Sequence, residues 1–286
     1  MAFHRISSSG QASVMLSYVQ QSFANMSKTQ EQMASGHRIL KPSDDPLGAN
    51  QALRLNTHLG NLEIYSRNID NAISELTTSE SALSQVQSTI QRAQELAVQA
   101  ANDTYSPSQR QALAQEFTTL IDSVVQQANS TYAGKYIFAG FKTDTIPFTR
   151  SSTGVAYAGS DNTSSSDYER QLQISDTQKV GVNLNGKSIF GEVTVGAGPT
   201  YTGSGLLYDM QRMYDDMVNN DTTSLRSRLD NLNDDLDTVS SGRSIIGARQ
   251  NYLDNTKNQL SDTITSEKTF LSSLVDTDIA KATTDL

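Results

Sequence analysis

The chain has 286 residues with 22 basic and 31 acidic side chains, a formal charge of −9, no cysteine and an apolar fraction of 36%. An acidic chain without a basic run disfavours nucleic acid as a partner, and no apolar run reaches the roughly 18–20 residues of a membrane-spanning helix. The absence of cysteine excludes disulfides, thiolate catalysis and cysteine-based zinc sites.

The N-terminal segment shows a faint helical pattern. Apolar residues recur at helical spacing and predict a helix over Ser13–Ser35 that forms or becomes firmer in an assembly. The stretch Met1–Gln20 lacks the basic and apolar regions of a cleaved signal peptide, so we do not expect export by that route. Gly36–Pro46 contains two prolines and is predicted to be a non-helical joint, because proline disfavours helix in the residue before it.

Three longer helices follow from the apolar spacing. Gly48–Asn102 is predicted to be nearly continuous helix, a second helix begins after the capping pair Ser106 and Pro107, and a third runs through Leu225–Leu274. Arg243, Gln250 and Lys257 occupy apolar seam positions of the last helix, where polar residues cost stability but fix register. The 4-3 seam of the first long helix comprises Leu55, Leu59, Leu62, Ile69, Ile73, Leu76, Leu83, Ile90 and Ala97.

The middle of the chain has a different character. Eleven of the 17 glycines lie between Gly134 and Gly205. Short alternating runs among them predict strands at Lys135–Phe138, Leu172–Ile174, Val180–Leu184 and Val193–Val195. We predict an α+β fold in which the N- and C-terminal segments form a long antiparallel helical rod or bundle with a small inserted β-rich domain. The predicted division is an N-terminal assembly helix over 1–42, a helical core over 43–133 plus 206–286, and a β-rich outer domain over 134–205.

One motif suggests nucleotide binding. Residues Gly181–Ser188 satisfy the phosphate-loop pattern, but the following Ile189–Val195 looks like a strand, whereas a phosphate loop must lead into a helix. We therefore interpret Asn185-Gly186 as a hairpin turn and reject nucleotide binding.

The remaining polar residues do not form a recognisable site. The three histidines, His4, His37 and His58, are scattered without a metal-ligand spacing and are expected to be solvent-exposed. Asp215-Asp216 and Asp234-Asp235 are adjacent pairs on helical stretches and fit solvated helix faces, while Asp44-Asp45 before Pro46 fits a turn or cap. We predict no catalytic, cofactor-binding or metal-binding residue, no cofactor and no enzymatic activity.

Several strings resemble a known family. The chain resembles the bacterial flagellar hook-filament junction proteins (hook-associated protein 3) of the flagellin superfamily, and its middle β region carries the weakest likeness. The strings are Tyr136–Gly140 with Lys142–Phe148, Arg5-Ile6-Ser7, Ser35–Ile39 with Ser43–Pro46, Gln91–Ala100 and Arg243–Leu253.

The resemblance implies a structural role in bacterial motility. The expected partners are other copies of the chain in a ring, the first junction protein towards the hook, flagellin towards the filament, and an export chaperone, with no nucleic acid or membrane. The subunit is expected to be exported unfolded through the flagellar channel and to lie outside the cell at the hook-filament junction. The alternative is a flagellin-type filament subunit.

Two finer expectations come from the same resemblance. In flagellin a helix like Gln91–Ala100 is recognised by an innate immune receptor; Arg92, Leu96, Gln99 and Glu116 match it, but Gln94 replaces a second Arg, so we expect weak or no activation. The family also continues with an apolar helix after a segment like Asp276–Leu286. The sequence given ends there, so we expect Ser13–Ser35 to be frayed, disordered or docked on a neighbouring subunit.

Overall fold

The computed structural model describes residues 8–151, 154–160, 169–195 and 201–284. His4, the Arg5-Ile6-Ser7 string and the last two residues lie outside the described residues. The described chain is mostly helical, as predicted. Its helices are α1 (Ser8–Ser35), α2 (Pro46–Ala100), α3 (Pro107–Ala128), α4 (Gly186–Phe190), α5 (Leu206–Val218), α6 (Thr222–Val275) and α7 (Ile279–Thr284).

The helix ends follow local capping chemistry. Ser106 caps α3 in a reciprocal capping box: its side chain accepts from the Gln109 backbone N–H, and the Gln109 side chain accepts from the Ser106 N–H at 2.8 Å. Asp45 accepts from the Gly48 N–H at 2.9 Å at the start of α2, and Asp221 accepts from the Ser224 N–H at 3.0 Å at the start of α6. The prediction that Asp44-Asp45 forms a turn or cap is thus confirmed.

The chain divides into two compact units. One, called the terminal unit, comprises residues 1–64 and 259–286, and the other, called the central unit, comprises residues 65–258. The long helices α2 and α6 each contribute a stretch to both units. The three-part division expected from the sequence stays a prediction.

Helices α2 and α6 run antiparallel in the central unit, and their polar seam residues show the register. Arg243 donates to Glu80 at 2.5 Å, Gln250 donates to the Thr77 hydroxyl at 3.1 Å, and Lys257 lies 2.7 Å from Asp70. As residue numbers rise along α6 they fall along α2. The buried seam includes Ile69, Leu76, Leu83, Ile90 and Ala97 on α2 and Leu225, Leu232, Val239, Ile246 and Leu253 on α6.

Helix α5 completes this core by packing against α3. It is strongly amphipathic: Leu206, Leu207, Met210, Met213 and Met217 are buried, while Val218 at its C-terminal end is 39% exposed. This helix was not delimited from the sequence, because its apolar face depends on methionines inside a run of acidic and polar residues.

The described residues of the β-rich part form four separate two-stranded antiparallel sheets. The strands predicted at Lys135–Phe138, Leu172–Ile174, Val180–Leu184 and Val193–Val195 each overlap an observed strand. The first observed strand is shorter than predicted, the next two begin one residue earlier and end sooner, and the last is one residue longer at its start. The strands pair as β1 (Thr131–Tyr132) with β2 (Lys135–Tyr136), β3 (Phe148–Ser151) with β4 (Gly154–Tyr157), β5 (Gln171–Gln173) with β6 (Lys179–Gly181), and β7 (Glu192–Val195) with β8 (Tyr201–Ser204).

The predicted hairpin turn at Asn185-Gly186 is wrong. Asn185 instead caps the short helix α4, its side chain accepting from the Lys187 N–H at 2.9 Å. Phe190, predicted to lie in a strand, ends this helix and packs its ring edge-on against Phe138 and Phe148, with centroids 5.0 and 5.4 Å apart. Burial of Phe190 in this aromatic cluster favours the helical turn over an extended segment.

Candidate assembly surface

The most unusual surface in the terminal unit is the apolar face of α1. Most of the described side chains of α1 are exposed, including its large apolar ones. The apolar seams of α2 and α6 in the central unit are buried instead. Phe23 is 63% exposed and Tyr18 is 71% exposed. We call this surface the α1 face; it comprises Val14, Met15, Leu16, Tyr18, Val19, Phe23 and Met26.

Contacts hold the C-terminal end of α1. The Lys28 ammonium lies 2.8 Å from Asp44, and this hydrogen bond is the main reason why the pKa of the Asp44 carboxyl is lowered. Helix α1 also packs against α7, in which Ala282 is buried. The α1 face therefore belongs to a helix anchored at one end, with its apolar residues open to a partner.

Hydrogen bonds connect the non-helical segment after α1 with the C-terminal segment of the chain. The Arg38 N–H donates to the Val275 carbonyl at 2.6 Å, its guanidinium donates to the Leu274 carbonyl at 2.9 Å, and the Thr277 N–H donates to the Gly36 carbonyl at 2.9 Å. An isolated antiparallel β-bridge pairs His37 with Asp276 at this place. These contacts fix the chain directly after the C-terminal end of α1.

The described histidines take part in the same joining of N- and C-terminal segments. His58 Nδ1 lies 2.8 Å from Glu267 Oε1, and His37 Nδ1 lies 3.3 Å from Asp276 Oδ1. Their side chains are 43% and 55% exposed, so the expectation of solvent exposure holds in part: both rings reach water, but each also faces a carboxylate. Sequence spacing could not show these pairs because their members lie over 200 residues apart.

Other apolar side chains of the terminal unit are also exposed. Leu47 is 71% and Leu53 67% exposed on α2, while Phe270 is 54% exposed on α6 and Ile279 58% exposed on α7. Contiguous exposed apolar groups on a water-soluble surface mark sites of association. The exposed apolar side chains of the terminal unit are suited to packing against other helices.

The sequence of this chain is similar to those of known flagellar proteins. The family of the bacterial flagellin N-terminal helical region matches residues 6–143. Flagellar hook-associated protein 3 of Salmonella typhimurium is 30% identical over 278 residues, covering 92% of this chain and 85% of the relative. The chain belongs to the flagellar hook-associated protein 3 family.

The fold agrees with membership of the hook-associated protein 3 family. The flagellar junction protein from Legionella pneumophila superposes with a TM-score of 0.62 at 18% identity, covering 79% of this chain and 99% of that one. Flagellin of Listeria monocytogenes is 27% identical over 267 residues, covering 92% of this chain and 83% of the relative. The flagellin alternative is therefore the less supported of the two.

The helix that resembles the receptor-recognised helix of flagellin is held by polar contacts in this family member. Arg92 donates to Glu116 at 2.6 Å and to Glu95 at 2.8 Å, whereas Leu96 is buried. Gln94 donates to Asn233 on α6 at 2.8 Å. The expectation of weak or no receptor activation stays a prediction.

The phosphate-loop pattern has a structural explanation in the central unit. Lys187, which would have to reach a phosphate, lies 3.0 Å from Glu192, and α4 has only five residues. A Cβ on Gly186 would lie 2.4 Å from the Phe138 carbonyl oxygen, so a close backbone approach accounts for this glycine. In the described residues no group of three or more His, Cys, Asp or Glu side chains could hold a metal ion, and no helix is long and apolar enough to cross a membrane.

Proposed function

We propose that this chain forms the junction between the flagellar hook and the filament. Copies of it would assemble into a ring, with the first junction protein on the hook side and flagellin on the filament side. The role is mechanical: the ring attaches the filament and passes torque to it. No catalysis and no cofactor enter this function.

The α1 face is the observation that carries the proposal. Five of the seven apolar side chains of the α1 face are more than half exposed, so the helix gains little from them when the subunit folds alone. Packing against helices of neighbouring subunits would remove this area from water, which is favourable by about 25 cal/mol per Å². In a family of flagellar proteins, the partners that complete such a face are other subunits of the same tube.

Location and export follow from the same role. We infer that the subunit works outside the cell, after passing unfolded through the flagellar export channel with the help of an export chaperone. A chain without cysteine suits this route, since it cannot form disulfides that would obstruct threading.

A deletion strain tests the proposal. We expect loss of swimming, with hooks intact and filaments shed into the medium as seen by electron microscopy, and recovery when the wild-type gene is supplied. A strain that swims normally with attached filaments contradicts the junction role. The flagellin alternative predicts something else: the purified full-length chain would polymerise by itself into long filaments.

A further inference from the structure

A buried carboxyl group in the central unit has no role in the proposed assembly. Asp235 on α6 is only 7% exposed, and its Oδ2 has no hydrogen-bond partner in the described structure. A buried ionised carboxylate without a partner is costly, so a group in this position favours its neutral, protonated form.

The surroundings of Asp235 add negative rather than positive charge. Asp209 on α5, itself 7% exposed, accepts from Asn231 at 2.9 Å, and Asp234 is the neighbour of Asp235 on α6. The adjacent Arg228 is committed elsewhere: its Nε donates to Asp216 at 2.7 Å, and its Nη1 lies 3.9 Å from Asp209. Arg212 on α5 likewise acts on Asp216.

Burial, followed by the charges of Asp209 and Asp234, raises the pKa of Asp235 to about 7 from an ordinary value of 3.8. The same carboxyl in an unfolded or opened chain is ionised over most of this interval. The closed state therefore binds more protons than the open state between about pH 4 and 7.

We propose that closing α5 against α6 takes up a proton at Asp235, so that this helix pair is tighter in mildly acidic than in alkaline medium. The sign follows from linkage: the contribution is fully present below the ordinary pKa of an aspartate and is lost as the pH rises through the raised value. This inference concerns the folding of the central unit and stands apart from the proposed junction role.

Hydrogen exchange of the α5 amides in the full chain tests the proposal. In the wild type, protection corrected for the intrinsic exchange rate should fall with rising pH between 5 and 7. Loss of one bound proton lowers the protection about ten-fold per pH unit, and this part of the fall should be missing in Asp235→Asn. At pH 8 the variant should therefore be more protected than the wild type. The comparison between variants isolates Asp235, because burial also raises the pKa values of Asp216 and Glu75.

The matched control is Asp230→Asn, an exposed position on the same helix, which should keep the wild-type pH dependence. Equal pH dependence in the wild type and in Asp235→Asn overturns the proposal. A carboxyl-carbon NMR titration of the wild-type chain gives a second reading that needs no variant. The assigned Asp235 carboxyl carbon should titrate near neutral pH, and its titration below pH 5 contradicts the proposal as well.

Discussion

Two arginines show at the residue scale how burial changes what a charged side chain contributes. Arg110 on α3 is 4% exposed and donates to the carbonyl oxygens of Ala100 at 2.7 Å and Asn102 at 2.8 Å, where α2 ends. Arg92 on α2 pairs with Glu116 through a side chain that is 46% exposed. Water therefore competes with Glu116 for the Arg92 guanidinium, whereas it has little access to the Arg110 guanidinium.

Replacing Arg110 by Ala should lower the free energy of unfolding by about 3 kcal/mol, because it leaves buried carbonyl oxygens without their charged donor. Arg92→Ala should lower the free energy of unfolding far less than Arg110→Ala, because water screens an exposed ion pair. Chemical denaturation followed by circular dichroism measures both. Equal losses in the two variants contradict the assignment of Arg110 as the cap of the α2–α3 turn.

Two glycines of the central unit differ in the space around them. A side chain on Gly186 would collide with the Phe138 carbonyl, whereas nothing lies within 4 Å of the Cβ position at Gly247 on α6. Gly186→Ala should therefore lower the free energy of unfolding by roughly 1–3 kcal/mol, and Gly247→Ala should raise it by roughly 0.5–1 kcal/mol, because alanine favours helix. Denaturation curves of the two variants test this, and a Gly186→Ala protein as stable as the wild type contradicts the packing explanation.

At the scale of elements, α1 and α2 carry similar apolar residues, but those of α2 are buried within the chain and those of α1 are exposed. Ile90 on α2 is fully buried between helices of the same chain, whereas Phe23 on α1 is 63% exposed. The apolar area of α2 stabilises the isolated subunit. That of α1 becomes useful only when another helix covers it.

Substitutions can separate the role of α2 in the stability of the isolated subunit from the proposed role of α1 in assembly. Phe23→Ser should leave the thermal unfolding of the purified chain unchanged while reducing swimming and filament attachment in the complemented deletion strain. Ile90→Ala should lower the free energy of unfolding of the purified chain by about 2–5 kcal/mol through a core cavity. If Phe23→Ser destabilises the purified chain as much as Ile90→Ala, the α1 face is part of the subunit's own core and the argument from its exposure fails.

At the scale of the whole molecule, the pairing of N- and C-terminal segments recurs in both units. In the central unit Lys257 faces Asp70, and in the terminal unit Lys268 lies 3.2 Å from Glu63 and Glu267 faces His58. The two ends of the sequence thus form the helical part, and the β-hairpins between α3 and α5 are an insertion. Low apolar content fits the proposed assembly, in which contacts between molecules would complete part of the burial.

The sequence by itself determined the long helices, their antiparallel pairing and the capped start of α3. Periodicity and capping are local signals, and each helix extends for many turns. Resemblance of motifs also identified the family. The sequence was less informative for the β-hairpins and the Asn185-Gly186 segment, where runs of two to five residues fit a turn, strand or helix equally well.

Only the tertiary structure decided which conformation these short segments adopt and which polar side chains pair across the fold. Burial of Phe190 selected a helical turn after Asn185, and the pairing of α2 with α6 brought His58 to Glu267. Asp235 is buried in the folded central unit, and the charge of Asp209 on α5 acts on it, although the sequence predicted that Asp234-Asp235 lies on a solvated helix face. Burial and charge at a position depend on elements distant in sequence, and no local pattern encodes what those elements place beside it.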